Sequence, residues 1–227
     1  MDNSTNKFEE GQLLLINKSF RRTSFDAIQQ IRALIKIKKV GHAGTLDPLA
    51  TGLLIICTGK FTKKINEYMA QEKEYTGTFT LGATTPTYDL EGEPENFKSI
   101  DTITDEMIRV STKKFIGEIA QLPPAFSAIK VDGKRMYELA RQGKEVKREP
   151  RAVLIKEFEI TKIEMPVVNF KVVCGTGTYI RSLAFDFGNE LGCGAYLSSL
   201  CRTRIGDYKN ENAMTIDEFA ESLKEKK

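Results

Sequence analysis

The segment from Gly41 to Gly52 carries the residue best suited to chemistry. It holds three glycines and a proline in twelve residues, which indicates a defined turn that a ligand or another backbone can approach closely. Asp47 lies in its middle, and Pro48 biases the Asp47 backbone towards an extended conformation. A carboxylate is ionised at pH 7 and can attack an electron-poor carbon or stabilise a cation. Asp47 is therefore a candidate nucleophile, although aspartate is also a common turn residue.

A second candidate group lies where a predicted strand ends in Gly-Thr-Gly-Thr and a helix begins. Tyr179 and Arg181 fall in the first turn of that helix. An arginine in a first turn opposes the helix macrodipole, so its position needs another reason. Pairing with a carboxylate such as Asp47 would supply one, and a solvent-exposed surface arginine is the alternative.

The composition limits which other groups could act. The chain has 227 residues, 34 Lys+Arg, 31 Asp+Glu and a single histidine, His42. One histidine excludes a histidine-rich metal site and a relay of imidazoles. Any other general base or nucleophile must then be a carboxylate, Tyr, Lys, Ser, Thr or Cys. The Gly175–Gly177 segment lacks the third glycine of a dinucleotide loop, and the SxxK pattern from Ser127 to Lys130 lacks its partner motifs.

The cysteines and the apolar runs indicate the compartment. The four cysteines form no CxxC pair, so we expect free buried thiols in a reducing compartment and no structural zinc: Cys57, Cys174, Cys193 and Cys201. The polar N-terminus lacks the apolar core of a secretory signal, and the run from Leu53 to Cys57 is too short to span a bilayer. These features predict a cytoplasmic protein that does not enter the membrane.

The charges are unevenly distributed, although the net charge is only +3. Residues 18–39 hold seven basic residues and one acid, and residues 130–156 hold nine basic residues and four acids. Residues 67–109 hold ten acids and three bases. Such polarisation suits a basic face that binds a polyanion such as nucleic acid. The alternative is that these lysines and arginines only solvate helix surfaces.

The pattern of apolar residues predicts one mixed α+β domain that positions these groups. Thr23 and Asp26 have the spacing of a capping box, and Phe25, Ile28, Ile31, Leu34 and Ile35 follow at helical spacing. We predict helices at 60–69, 104–115, 133–142, 179–191 and 215–224 as well, and strands at 13–16, 53–58, 75–81, 151–164 and 167–174. Val168, Phe170 and Val172 share one face of the last strand.

The chain resembles the TruB family of tRNA pseudouridine synthases. The block Gly41-His-Ala-Gly-Thr-Leu-Asp-Pro-Leu-Ala-Thr-Gly52 is similar to the family's GHxGTLDPxATG motif. Further similar segments follow in family order over about residues 11 to 208: Gly11 to Leu15, Lys18 to Ser24, Lys73 to Tyr75, Leu81 to Gly92, Gln121 to Lys130 with Tyr137 and Ala140 to Gly143, Gly177 to Arg181, and Leu200 to Arg204. Ser19 and Arg21 depart from the family's Lys-Pro-x-Gly segment, and Tyr196 replaces a frequent histidine.

The resemblance implies a pseudouridine synthase fold, in which a mixed, mostly antiparallel sheet is flanked by helices. It implies a flexible N-terminus at residues 1–10, a catalytic domain at 11–208 with a basic RNA-binding insertion at about 121–151, and a C-terminal helix and tail at 209–227 without a PUA domain. It also implies isomerisation of the T-loop uridine of tRNA, at position 55, to pseudouridine. The expected partner is the T-stem-loop of tRNA, and the expected protein is a monomer that requires no cofactor, metal or protein partner.

The resemblance also implies roles for particular residues. Asp47 would be the nucleophile, with Arg181 paired to it and Tyr75 packed on the target base. His42 would occupy the space left by the flipped base, and Lys18, Tyr179 and Leu200 would line the pocket. The insertion would contact phosphates through Lys130, Lys134, Arg135, Arg141, Lys144, Lys147 and Arg148. A non-catalytic tRNA-binding or RNA-folding protein and a guide-RNA-dependent synthase remain as alternatives.

Overall fold

We describe a computed structural model of the protein, which covers residues 7–127, 129–131, 133–143 and 147–224. The helices are α1 (Lys7–Glu10), α2 (Ser24–Ile35), α3 (Ile65–Ala70), α4 (Asp105–Ser111), α5 (Met136–Arg141), α6 (Ile180–Glu190) and α7 (Ile216–Lys224). The strands are β1 (Leu13–Lys18), β2 (Val40–His42), β3 (Thr51–Thr58), β4 (Lys73–Leu81), β5 (Gly117–Gln121), β6 (Lys130–Val131), β7 (Lys134–Arg135), β8 (Arg151–Glu164), β9 (Val167–Cys174), β10 (Ala195–Ile205) and β11 (Tyr208–Lys209).

The chain divides into two compact units. The first unit comprises Met1–Tyr75 and Leu200–Lys227, and the second comprises Thr76–Ser199. Strands β4 and β10 contribute residues to both units.

The first unit is built around the buried strand β3. Strand β1 pairs antiparallel with β3, and the β10 residues Cys201 and Arg202 pair parallel with Thr51 and Gly52. Successive β3 side chains point to opposite faces of the sheet. Leu54 and Ile56 pack with helix α2 on one face, while Leu53 and Ile55 join a separate cluster on the other. This double burial explains why β3 reads as a continuous apolar run.

Helix α2 begins as the capping-box spacing predicts. The Asp26 amide donates to the Thr23 hydroxyl at 3.0 Å, and the Thr23 amide donates to the Asp26 carboxylate at 2.8 Å. The predicted apolar face is wrong at two positions, because Phe25 and Leu34 are exposed. The buried side of the helix is formed by Ala27, Ile28, Ile31 and Ile35.

The second unit holds a sheet with the order β10, β4, β9, β8 and β5, of which the first two strands contribute only their residues in this unit. Strands β8 and β9 have the predicted bounds and pair antiparallel. Val168, Phe170 and Val172 are buried together, as the alternation predicts. The Phe170 ring stacks on Phe79 with centroids 4.2 Å apart, and Phe187 of α6 completes this aromatic core.

Several elements differ from the expectations. The sequence pattern predicts no counterpart of strands β2, β5, β6, β10 and β11. The predicted helix at 133–142 is wrong in its first turn, where Lys134 and Arg135 form strand β7. The predicted helices at 60–69 and 104–115 each contain a 3₁₀ segment, at Gly59–Lys64 and Thr112–Phe115 respectively. Within the expected flexible N-terminus, Lys7–Glu10 form α1, and Phe8 is buried against Phe219. The α+β class with a mixed sheet is confirmed.

The state of the cysteines and the length of the helices are two further features of the described residues. All four cysteines are free thiols, and all but Cys201 are buried. Within the described residues, no helix has the length and apolar character needed to cross a membrane.

Candidate active site

Asp47 lies in a loop of the first unit that joins β2 to β3. The Ala50 amide donates to the Asp47 carbonyl at 3.1 Å, which closes a turn with Pro48 in its second position. Aspartate and proline are favoured at these two positions of a type I turn. The turn therefore explains the residue types at Asp47 and Pro48 locally, and the contacts around it explain why the loop is held in place.

Buried polar side chains anchor this loop through its backbone. The Leu46 amide donates to the Ser24 hydroxyl at 2.9 Å, and Ser24 is fully enclosed at the start of α2. On the other side, the Arg202 guanidinium donates to the carbonyls of Gly44 and Leu53 at 3.1 and 2.8 Å. Because Ser24 and Arg202 are almost inaccessible to solvent, their hydrogen bonds are costly to break. The loop is preorganised around Asp47.

Gly52 allows strand β10 to come close to the end of this loop. A Cβ atom at Gly52 would lie 2.4 Å from the carbonyl oxygen of Arg202, and the backbone φ of Gly52 is +98°. Both facts require glycine at this position. The Thr51 hydroxyl also donates to the Leu200 carbonyl at 3.3 Å, which brings Leu200 beside the Asp47 loop.

Lys18 is a buried ammonium beside the same loop, with 1% of its surface exposed. Its Nζ donates to the carbonyls of Arg22, Ser19 and Pro48 at 2.6, 3.0 and 3.3 Å. Burial lowers the pKa of Lys18 to about 8, while the Asp47 carboxylate acts in the opposite direction and the Arg202 charge adds to the lowering. Lys18 therefore supports the loop and places a positive charge near Asp47.

The lowered pKa of Lys18 predicts a pH dependence of folding. Between about pH 8 and pH 10.5 the Lys18 side chain keeps its proton in the unfolded chain and releases it in the folded chain. The free energy of unfolding of the wild type should therefore rise with pH in this window, relative to that of Lys18→Met, which has no titratable group at this position. The cost of burying the charge is fully present below pH 8. Denaturant unfolding of both proteins at pH 7 and pH 10 measures this difference. A difference that stays constant or falls would show that Lys18 does not titrate in this window.

His42 is half-buried at the end of β2. Burial lowers the pKa of His42 below its usual 6.5, the nearby Arg202 charge adds to this effect, and a hydrogen bond with the Gly44 backbone opposes it. The imidazole is therefore neutral at pH 7. Within the described part of the chain, its buried Nδ1 has no hydrogen-bond partner. A neutral ring suits packing against a base better than transfer of protons.

Tyr75 lies on β4 in the first unit, and its neighbours on the strand are held by β10. The Thr203 hydroxyl donates to the Glu74 carboxylate at 2.7 Å. Arg204 forms an ion pair with Glu72 at 2.8 Å and a longer one with Glu74 at 3.8 Å. These contacts hold the strand that carries Tyr75.

Arg181 lies in the second unit, in the first turn of α6, and is 5% exposed. Its Nε is 3.6 Å from the carboxylate of Asp89, and its terminal nitrogens donate to the carbonyls of Thr87 and Phe126 at 3.2 and 3.0 Å. The surface-arginine alternative is therefore wrong. The predicted pairing of Arg181 with Asp47 stays a prediction.

Asp89 is a functional candidate that the sequence alone does not identify. It is 4% exposed, and its Oδ1 accepts hydrogen bonds from the Thr87 hydroxyl at 2.6 Å and the Glu91 amide at 3.0 Å. These bonds leave Oδ2 directed to Arg181. Its signal in the sequence is an aspartate within the Leu81 to Gly92 block that resembles the family, and its partner Arg181 is identified only by the fold.

Tyr179 precedes α6 and is fixed through its backbone. The Gln121 side chain accepts a hydrogen bond from the Tyr179 amide at 2.8 Å and donates to the Tyr179 carbonyl at 3.1 Å. Gln121 is buried at the end of β5. These two hydrogen bonds connect the start of the insertion, at Gln121, with the start of α6.

The described part of the insertion has a short hairpin and a helix. Lys130 lies on β6, Lys134 and Arg135 lie on β7, and Arg141 ends α5. Lys147 is exposed, and its Nζ lies 4.0 Å from the Glu149 carboxylate. The Arg148 guanidinium donates to the Pro123 carbonyl at 3.3 Å and to the Tyr88 hydroxyl at 3.5 Å. Lys144 lies outside the described residues. Among the residues described, no group of three or more His, Cys, Asp and Glu side chains could hold a metal ion.

Comparison with known proteins shows extensive similarity. Residues 32–180 match the family model of TruB family pseudouridylate synthase (N terminal domain), and residues 181–227 match that of tRNA pseudouridylate synthase B C-terminal domain. A tRNA pseudouridine synthase B of Flavobacterium johnsoniae is 54% identical over 96% of this chain and 98% of its own length. One of Bacteroides fragilis is 50% identical over 94% of each chain.

Solved structures confirm the predicted fold. The structure described as a Cbf5-Nop10-Gar1 complex matches with a TM-score of 0.74 and 29% identity, over 95% of this chain and 55% of the matched one. An H/ACA RNP bound to a substrate RNA containing 2'-deoxyuridine matches with a TM-score of 0.71 and 26% identity, over 95% and 54%. The chain thus spans about half the length of these structural relatives.

Proposed function

This chain belongs to the TruB family of pseudouridylate synthases, and from that membership we propose that it isomerises the T-loop uridine of tRNA, at position 55, to pseudouridine. The observation that carries the proposal is the anchored loop around Asp47. Ser24, Lys18 and Arg202 hold the backbone on both sides of that carboxylate. A nucleophile held in one geometry loses little freedom when the substrate binds.

The proposed reaction is an isomerisation whose atoms balance without a cofactor. The bond between N1 and C1′ of uridine breaks, the base rotates, and C5 bonds to C1′. The C5 proton is then lost, and N1 gains a proton. Asp47 either adds to C1′ or acts through a glycal intermediate, and both routes require an ionised carboxylate. Tyr75 packs on the base and supplies a titratable phenol.

Arg181 would support this chemistry through its charge. An arginine beside a carboxylate favours the ionised form. The contacts with Asp89, Thr87 and Phe126 fix the plane of the guanidinium. We propose that this fixed charge pairs with Asp47 in the catalytic complex.

The target uridine lies within a folded loop of the tRNA, so the enzyme must flip it out of the stack. We propose that His42 takes the vacated space, since its neutral ring can stack without a charge. Tyr179, Leu200 and Lys18 would line the pocket. The catalytic domain would span residues 11–208 and include the basic insertion at about 121–151. This insertion would contact phosphates, which contribute affinity for RNA and little sequence specificity.

The proposed enzyme acts on bare tRNA as a monomer in the cytoplasm, without guide RNA or a protein partner. A transcript whose position-55 uridine is replaced by cytidine tests the target. The wild-type protein should form pseudouridine in the unmodified transcript and none in the replaced one, when the sites are mapped chemically. Modification elsewhere in both transcripts would contradict the T-loop assignment.

The exposed Lys147 predicts the salt dependence of tRNA binding. Lys147→Gln should reduce the slope of log affinity against log salt by up to about 0.9, because one phosphate contact is lost. Lys162→Gln is a matched control, since Lys162 is also exposed but lies on β8 and pairs with Glu164 at 2.9 Å. Filter binding at several salt concentrations measures both slopes. Equal slopes for wild type and Lys147→Gln would place Lys147 away from the RNA.

A further inference from the structure

The turn between β1 and α2 presents an exposed aromatic ring and an arginine together. Phe20 is 53% exposed, and the guanidinium carbon of Arg21 lies 5.5 Å from the centroid of its ring. A single exposed phenylalanine is ordinary on a protein surface. The backbone and the surroundings of this pair are what distinguish it.

Arg21 adopts a backbone conformation that is unfavourable for its residue type. Its φ is +58°, in the left-handed region that glycine occupies most readily. Such conformations persist where the surrounding contacts impose them, and they cluster at binding sites. The turn therefore holds Arg21 in an unfavourable conformation that presents Phe20 and Arg21 together.

One buried ammonium holds this turn and the Asp47 loop at the same time. Lys18 Nζ donates to the carbonyls of Ser19 and Arg22, which lie on either side of Phe20 and Arg21. It also donates to the carbonyl of Pro48, the neighbour of Asp47. The exposed pair is thus fixed relative to the proposed nucleophile.

The charge around the turn favours an anionic ligand with flat, unpaired rings. The turn and the first residues of α2, 18–26, contain three basic residues, Lys18, Arg21 and Arg22, and one acid, Asp26. The Asp26 carboxylate is already occupied as the acceptor for the Thr23 amide at 2.8 Å. Proteins stack unpaired nucleic-acid bases on exposed aromatic rings that lie beside arginines, and Phe20 with the neighbouring Arg21 is such a combination.

We infer that Phe20 and Arg21 form a stacking site for an unpaired base of the substrate RNA, next to the uridine that Asp47 attacks. Phe20 meets the face of the base, and Arg21 meets the adjoining phosphate. This inference rests on the proposed function, because it takes the RNA at Asp47 as given. It assigns this turn to substrate binding and leaves the bond-breaking steps unchanged.

Binding of a T-arm stem-loop RNA to Phe20 variants tests the site. Phe20→Ala and Phe20→Leu should raise the Kd at least about fivefold, the low end of what one base–aromatic stack contributes. Phe20→Tyr should bind like wild type, because it keeps the ring. Phe97→Ala is the matched control, since Phe97 is 76% exposed but follows an acidic segment. Its Kd should not change.

Arg21→Gly gives an independent test, because the substitution should leave the stability of the protein equal or higher while it weakens the binding of RNA. The melting temperature should rise or hold, because glycine relieves the positive φ. The Kd for the RNA should increase, and the salt slope should fall by up to about 0.9. A lower melting temperature with unchanged binding would show that Arg21 is structural.

The outcomes separate this inference from the proposed function. If the wild type forms pseudouridine and Phe20→Ala binds the RNA unchanged, the stacking site is wrong and the function stands. If the wild type forms no pseudouridine, the function fails, and the Kd values still decide whether the turn binds RNA. If Phe20→Ala changes only self-association in sedimentation, the turn is a protein contact and the inference is overturned.

Discussion

Asp47→Asn is expected to abolish pseudouridine formation while the protein stays folded and binds tRNA. The amide has nearly the shape of the carboxylate but cannot act as an anionic nucleophile. The loop keeps its position, because its backbone is anchored by Ser24, Lys18 and Arg202. We expect the single-turnover rate to fall at least about a thousandfold, equivalent to about 4 kcal/mol of transition-state stabilisation.

The control for this substitution is Asp26→Asn. Asp26 is a carboxylate of the same unit, but its role is to cap α2. Its replacement should weaken the helix cap and leave the single-turnover rate close to wild type. An Asp47→Asn rate within about tenfold of wild type, a difference of about 1.4 kcal/mol, would contradict the nucleophile role.

Arg181→Lys is expected to lower the rate by more than about tenfold, equivalent to about 1.4 kcal/mol. The guanidinium contacts the Asp89 carboxylate and the carbonyls of Thr87 and Phe126 from different nitrogens. A lysine has one nitrogen and cannot reproduce this planar set of contacts. The variant should therefore keep the charge but lose its fixed direction.

Arg109→Lys is the matched control, because Arg109 donates to the Ile160 carbonyl in the same unit, outside the contacts of Arg181. Its activity should stay near wild type. Single-turnover rates at saturating tRNA separate a loss of chemistry from a loss of binding. If Arg181→Lys lost less than tenfold while Arg109→Lys behaved as expected, pairing of Arg181 with the nucleophile would be contradicted.

Local patterns predicted much of the fold. The capping box of α2 and the bounds of β8 and β9 depend on residues close in the chain, so their signals could be read directly. Strand β10 has no clear local signal, because Ser, Cys, Thr and Arg occupy its positions 198, 199 and 201–204. Those polar residues are accommodated by long-range partners, such as Leu53 and Gly44 for Arg202.

The candidate site shows the same contrast between residues with a local sequence signal and residues whose partners are distant in the chain. Asp47, His42 and Pro48 lie in one contiguous segment whose glycines and proline mark a turn, so the segment could be found from the sequence. The anchoring roles of Ser24 and Arg202 and the pairing of Asp89 with Arg181 join residues between 22 and 158 positions apart. Such pairings are created by the fold and have no local signal.

We propose that this chain alone isomerises the T-loop uridine through Asp47. Release of tritium from C5-labelled uridine in a bare tRNA transcript measures it directly, since C5 loses its hydrogen only when it bonds to C1′. We expect the wild type to release one equivalent per transcript without guide RNA or another protein, and Asp47→Asn to release none. No release by the wild type, or equal release by both proteins, would contradict it.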